Sequence, residues 1–128
     1  MAKYVLELSD DQARTVVKAL DLFGRIGMGQ FEEVVFPWRH RPSFSGDHEI
    51  IEGAVNKLKK ECCGLTPGAS FGICSEKVSL EYKRAYEIQQ VLRLAIATAP
   101  ESTEPRHSVW FSSFMPLTDE KPPIAVAV

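Results

Sequence analysis

The chain has 128 residues, with 15 lysines and arginines against 17 aspartates and glutamates, for a formal net charge of −2. That length suits one compact domain over residues 1–128, and the slightly acidic balance argues against a duplex-DNA binder that relies on bulk positive charge. No apolar run is long enough to cross a bilayer, and Met1-Ala2-Lys3-Tyr4 is not followed by an apolar leader, so the expectation is a cytoplasmic protein with no membrane partner.

Lys3 to Leu8 alternates weakly, with Tyr4, Leu6 and Leu8 on one face, which predicts a short strand. Ser9-Asp10-Asp11-Gln12 is a capping-box pattern and starts a first helix. Ala13, Val16, Val17, Leu20, Phe23 and Gly27 share one side of it, and Ala19, Leu22 and Ile26 widen the apolar surface. A helix so broadly apolar requires a second partner, either another helix or another subunit. Gly27 and Gly29 predict a break, and Gln30 to Phe36 a short second helix that stops before Pro37. Pro37 to Gly46 reads as a basic loop.

Asp47 caps a third helix whose predicted core face is Ile51, Ala54, Val55, Leu58, Cys62 and Leu65, stopped at Gly64 and Thr66-Pro67-Gly68. Ser70 to Cys74 is a short strand or an extended link. Ser79 or Ser75 starts a fourth helix with the core stripe Ala85, Ile88, Leu92, Ala95, Ile96 and Ala99, ended by Pro100. Glu101 to His107 is a polar linker, and Ser108 to Phe114 and Ile124 to Val128 read as strands. The expected fold class is therefore α+β: a four-helix layer on a small antiparallel sheet formed by N- and C-terminal strands. The apolar C-terminal Ile124 to Val128 must be covered or paired, which points to a homo-oligomer.

Cys62, Cys63 and Cys74 are odd in number and do not build a disulfide framework. The histidines His40, His48 and His107 are scattered, and Cys62-Cys63 lacks zinc-ligand spacing, so no metal, no other cofactor and no catalytic residue is expected. Cys62 falls on the predicted core face as an inert hydrophobe. Gly24, Gly27 and Gly29 have the wrong order and setting for a dinucleotide fingerprint and read more simply as a helix junction. Glu32 and Glu33 with His40 offer an acid–base set for a small hydrolase, but two carboxylates in a first helical turn are explained by the helix dipole.

The strongest binding signal is Trp38-Arg39-His40-Arg41, flanked by Pro37 and Pro42. Tryptophan and arginine offer planar faces to a ring, and guanidinium groups suit phosphate oxygens. The structural alternative is a buried Trp38 among solvated charges. On the fourth helix Tyr82, Tyr86, Gln90 and Arg93 fall together on a side away from the core stripe. The candidate ligand-binding set is Arg25, Gln30, Trp38, Arg39, His40, Arg41, Tyr82, Tyr86, Gln90 and Arg93. In this reading the arginines take negative charge, Trp38 and the tyrosines stack on a ring, and Gln30 and Gln90 read polar edges. The expected partner is a small anionic, nucleotide-like ligand, or alternatively a host protein that the same faces inhibit.

Three sequence words carry a resemblance: R-I-G-M-G-Q-F-E-E-V at Arg25 to Val34, S-F-G-I-C-S at Ser70 to Ser75, and A-Y-E-I-Q-Q-V-L-R at Ala85 to Arg93. Together with the opening L-S-D-D-Q-A-R-T-V-V-K-A-L-D-L-F, the chain resembles a group of small, largely uncharacterised proteins encoded by bacteriophages and prophages. The resemblance covers most of Leu8 to Arg93. It implies a phage context, in which small proteins act on host enzymes or defences and some sequester nucleotide signals.

Overall fold

The computed structural model describes residues 1–101 and 114–128. Among the described residues the protein is all-α: α1 (Asp10–Gly27), α2 (Glu32–Arg39), α3 (His48–Cys63) and α4 (Leu80–Thr98). The expected α+β fold is therefore corrected. Lys3 to Leu8, Ser70 to Cys74 and Ile124 to Val128 form no strand, and most of Ser108 to Phe114 lies outside the described residues. The physical reason is that an alternating pattern makes a strand only when a neighbour satisfies its backbone N–H and C=O groups. Tyr4, Val5, Leu6, Ile124 and Val126 are instead largely exposed.

The helix ends follow local chemistry. The Ser9 hydroxyl accepts from the Gln12 N–H at 3.2 Å and the Gln12 side chain accepts from the Ser9 N–H at 2.9 Å, closing the capping box. Asp47 Oδ1 accepts from the N–H groups of Glu49 and Ile50. Gly64 closes α3 at φ +69°, in the left-handed region that favours glycine.

Pro37 does not stop α2 but lies inside it, so Trp38 and Arg39 are helical. An interior proline removes one rung of the ladder and crowds the carbonyl four residues earlier, which costs stability without always ending the helix. Here the turn continues because the His40 N–H donates to the Phe36 carbonyl at 3.2 Å. The His40 ring also folds back onto the Phe36 ring, with centroids 3.9 Å apart.

The principal seam is between α1 and α4, while α2 packs on α1 and on α3. Gly27 lies beside Tyr82 and Asp21 bonds Gln89, so sequence positions run in opposite directions and the two helices are antiparallel. Small residues at the seam, Ala13 and Gly24 on α1 with Ala85 and Ala97 on α4, are buried and allow close approach. A Cβ at Gly27 would sit 2.0 Å from Tyr82 Cγ, so the tyrosine ring occupies the space that glycine leaves. Phe23 covers the same ring, with centroids 4.8 Å apart.

Among the described residues the buried apolar side chains are Ala13, Val55, Val78, Ala85 and Ala97. Two expected core faces are corrected accordingly. On α3, Ala54, Leu58 and Cys62 are exposed, and Val55 with Lys59 points inward. On α4, Glu87, Gln89 and Gln90 are buried beside Ala85 and Ala97.

The burial of Gln90 has a clear cause. Its Nε2 donates to the Met115 carbonyl at 3.0 Å and its Oε1 accepts from the Met115 N–H at 2.9 Å. One side-chain amide thus pairs with a peptide group as a strand neighbour would. Further along the same segment, Arg84 Nε reaches both carboxylate oxygens of Glu120, at 2.8 and 2.9 Å. The C-terminal segment is strapped along α4 at two points.

Replacing Gly27 by alanine should force the Tyr82 ring to shift and destabilise the protein by about 1–3 kcal/mol, measured by chemical denaturation. The strap carries a pH signature. The hydrogen bond and charge of Arg84 hold the Glu120 carboxyl below its ordinary value. A lowered folded-state value means that the pairing contributes fully above the ordinary carboxylate range and fades as pH falls through the lowered value. An NMR titration of Glu120 should show a midpoint below that of a free glutamate, and Arg84→Gln should return it toward the free-glutamate midpoint.

Candidate ligand-binding face on α2 and α3

Helical spacing places Glu32, Val35 and Arg39 on one side of α2 and Glu52, Val55 and Asn56 on one side of α3. These residues, with Pro67 and Gly68 from the turn after α3, line an open cleft of about 280 Å³. Its floor is polarised. Lys59 is fully buried, and its ammonium donates to both oxygens of Glu32 at 3.3 and 3.2 Å. A buried ammonium requires such a partner. Glu32 is thereby neutralised, and Glu52 and Arg39 remain as the carboxylate and guanidinium that face the cleft. The Arg39 Nε–H donates to His48 Nδ1 at 3.0 Å, which fixes the guanidinium and leaves the ring proton of a neutral His48 on Nε2.

Trp38 is not buried: 60 % of it is exposed, and the Arg41 guanidinium lies 3.8 Å from its ring centroid. This stack stands at the C-terminal end of the helix that carries Arg39. His40 Nδ1 lies 2.9 Å from the Phe36 carbonyl, so the ring serves first as a local cap.

The remaining predicted site residues have other duties. Arg25 donates to Asp21 at 2.8 Å and to Gln30 Oε1 at 2.9 Å, and lies 3.7 Å from Glu33. The hydrogen bond to Asp21, opposed by partial burial and aided by the charges of Asp21 and Glu33, raises its pKa further. Gln30 reaches on to the Ser70 hydroxyl at 3.5 Å, so Arg25 and Gln30 tie the α1–α2 junction to the segment before α4. Tyr82 is packed in the α1–α4 seam. Gln90 holds the C-terminal segment. Tyr86 and Arg93 are half-buried on α4.

The ten residues therefore fall into separate groups. Trp38, Arg39, His40 and Arg41 stay together; Arg25 and Gln30 lock a junction; on α4, Tyr82 packs against α1 and Gln90 holds the strap, while Tyr86 and Arg93 are half-buried. Among the described residues, no hydrogen bond or ring contact joins the Trp38–Arg41 group to Tyr82 or Gln90. Tyr82 and Gln90, on the α4 half of the anticipated pocket, lie on surfaces that the chain itself covers.

Sequence reasoning missed Glu52, Asn56 and Lys59. The signal for Lys59 was present: it stands four residues after Val55 on the inward side of α3, where an unpaired lysine is unstable. Glu52 and Asn56 carried no such mark, because their use depends on α2 lying opposite.

Among the described residues no three His, Cys, Asp or Glu side chains gather as a metal site. Cys62, expected in the core, is exposed, as is Cys74. No helix is long and apolar enough to cross a membrane. Comparison with known protein families, with curated proteins and with solved structures finds no match.

The buried pair at the cleft floor makes an asymmetric prediction. Glu32→Ala leaves the Lys59 ammonium buried without its carboxylate and should cost about 1–3 kcal/mol in denaturant unfolding. Replacing both partners together, Glu32→Leu with Lys59→Met, should cost less than Glu32→Ala alone, because no charge is left without its counter-ion.

Proposed function

We propose that the protein is a non-enzymatic binding protein for a small anionic ligand that carries a ring, of the nucleotide class, held on the α2–α3 face. The observation that carries this reading is the exposed Trp38–Arg41 stack beside an arginine, Arg39, that lines a cleft. Ligand phosphate is matched by the Arg39 and Arg41 guanidinium groups, with fork geometry suited to paired oxygens. A ring stacks on Trp38, whose partner guanidinium already shows that the face accepts a planar cation. Asn56 and Glu52 supply an amide and a carboxylate acceptor for the polar edge of a base.

This ligand set is narrower than the one expected from sequence. Tyr82 and Gln90 drop out because their packing roles occupy them, and Arg25 is held by carboxylates. The resemblance to phage-encoded proteins gives the reading a context, sequestration of a host nucleotide signal without cleavage. A second reading, inhibition of a host protein, is favoured by the exposure of Phe36 and Trp38 on α2. Large apolar side chains beside arginine are the usual anchors of protein interfaces.

Thermal-shift and calorimetric titrations with linear and cyclic nucleotides test the first reading. A binding nucleotide should raise Tm in proportion to its concentration over Kd and be recovered intact after the complex is denatured. Arg39→Ala and Arg41→Ala should each weaken binding about tenfold or more with little change in unfolding free energy. Nucleotides that leave Tm unchanged, together with a host protein retained by wild type and lost with Trp38→Ala, would replace this reading by the second.

A further inference from the structure

We infer that His48 is a proton switch on the rim of the α2–α3 cleft: uncharged, it ties up Arg39; charged, it releases Arg39 and stands beside it as a second cation for an oxyanion. The inference rests on the reading of Arg39 as an anion contact and adds what regulates that contact.

The fold brings the two groups together. His48 is the first residue of α3, and Arg39 is the last residue of α2 and lines the cleft. At about 100° per residue, His48 shares a side of α3 with Glu52, Val55 and Lys59, the side that meets α2. The Arg39 Nε–H donates to His48 Nδ1 at 3.0 Å. The Phe44 ring also lies against the imidazole, with centroids 4.6 Å apart. His48 is exposed, so it exchanges protons with water directly.

That hydrogen bond exists in one protonation state only. A guanidinium N–H is always a donor, so Nδ1 must supply a lone pair. When His48 gains a proton, Nδ1 becomes a donor too, and two positive charges then stand next to each other. The contact turns from attraction to repulsion. Histidine is the side chain that ordinarily changes charge between about pH 5 and 8.

The neighbouring charges leave Arg39 in command of the ring. Asp47, beside His48 in the chain, accepts from the N–H groups of Glu49 and Ile50. Glu49 follows His48 in the chain, and Glu52 stands one turn further along α3. In the segment between the helices, the His40 ring lies on Phe36 and the Arg41 guanidinium on Trp38. Deeper in the cleft, Lys59 and Glu32 are paired with each other.

An oxyanion relieves the repulsion. One of its oxygens accepts from Arg39 Nε–H and from His48 Nδ1–H together, and the other guanidinium N–H groups take a second oxygen. Within the chain, the Glu52 carboxylate is the competing acceptor. The switch therefore favours a ligand with a compact, multiply charged group such as a phosphate, and favours it more as pH falls.

NMR of the full chain with no ligand present tests the switch itself. Titrated from about pH 8 to pH 5, the Arg39 Nε–H resonance should move with the same midpoint as the His48 ring. In His48→Asn, whose side-chain oxygen accepts from Arg39 but takes up no proton, it should stay still. Calorimetry with inorganic sulfate, which keeps one charge state over this range, tests the consequence. Wild type should bind sulfate about fivefold or more tightly at the low end of the range. His48→Asn should lose that gain, which separates His48 from every other group that titrates. An Arg39 resonance that ignores His48, sulfate left unbound at low pH because Glu52 takes its place, or an equal gain in wild type and His48→Asn overturns the inference. The ligand reading fails separately: sulfate bound through the switch while every nucleotide is refused would sink that reading and leave the switch in place.

Discussion

The fold depends on how closely α1 and α4 approach each other. Small residues, Ala13 and Gly24 on α1 and Ala85 and Ala97 on α4, are buried there, and one tyrosine ring is set into the space at Gly27. Short separation multiplies dispersion contacts and excludes water where transfer of bulky groups contributes little. The same approach brings Asp21 within reach of Gln89, at 3.2 Å, while Asp21 also holds Arg25. One carboxylate thereby links the seam to the α1–α2 junction.

That seam decides which α4 side chains the chain itself occupies. Tyr82 packs against Gly27 and Phe23, and Gln90 binds a peptide group of the chain's own C-terminal segment. Residues that look like a recognition surface on a helical wheel are thus turned into internal fasteners. By contrast, α2 is short, held mainly from one side, and carries its aromatic and basic residues outward. The cleft beside it is made possible by Lys59, whose buried charge anchors Glu32 and with it the start of α2.

The division between buried polar and exposed apolar groups is unusual in this chain. Lys59, Glu87, Gln89 and Gln90 lie inside while Ile50, Leu58, Phe36 and Trp38 lie outside. A buried amide that forms two hydrogen bonds is tolerable; a helix face with Ile and Leu in water leaves favourable burial unrealised.

The sequence by itself determined most helix ends, because their signals are local; the end of α2 was not among them, since Pro37 lies inside that helix. The Ser9–Gln12 box, the Asp47 cap, the Gly64 stop and the break at Gly27 and Gly29 each act within a few residues, and all stand where the pattern placed them. The basic and aromatic character of Trp38 to Arg41 was equally legible. Only the tertiary structure decided which side of each helix is inward, whether the terminal segments pair as strands, and which polar residues are free to bind. Those outcomes rest on contacts between distant positions: Gly27 with Tyr82, Gln90 with Met115, Lys59 with Glu32. A residue's periodicity gives its direction relative to its own helix axis. The partner waiting in that direction is set by how the helices pack.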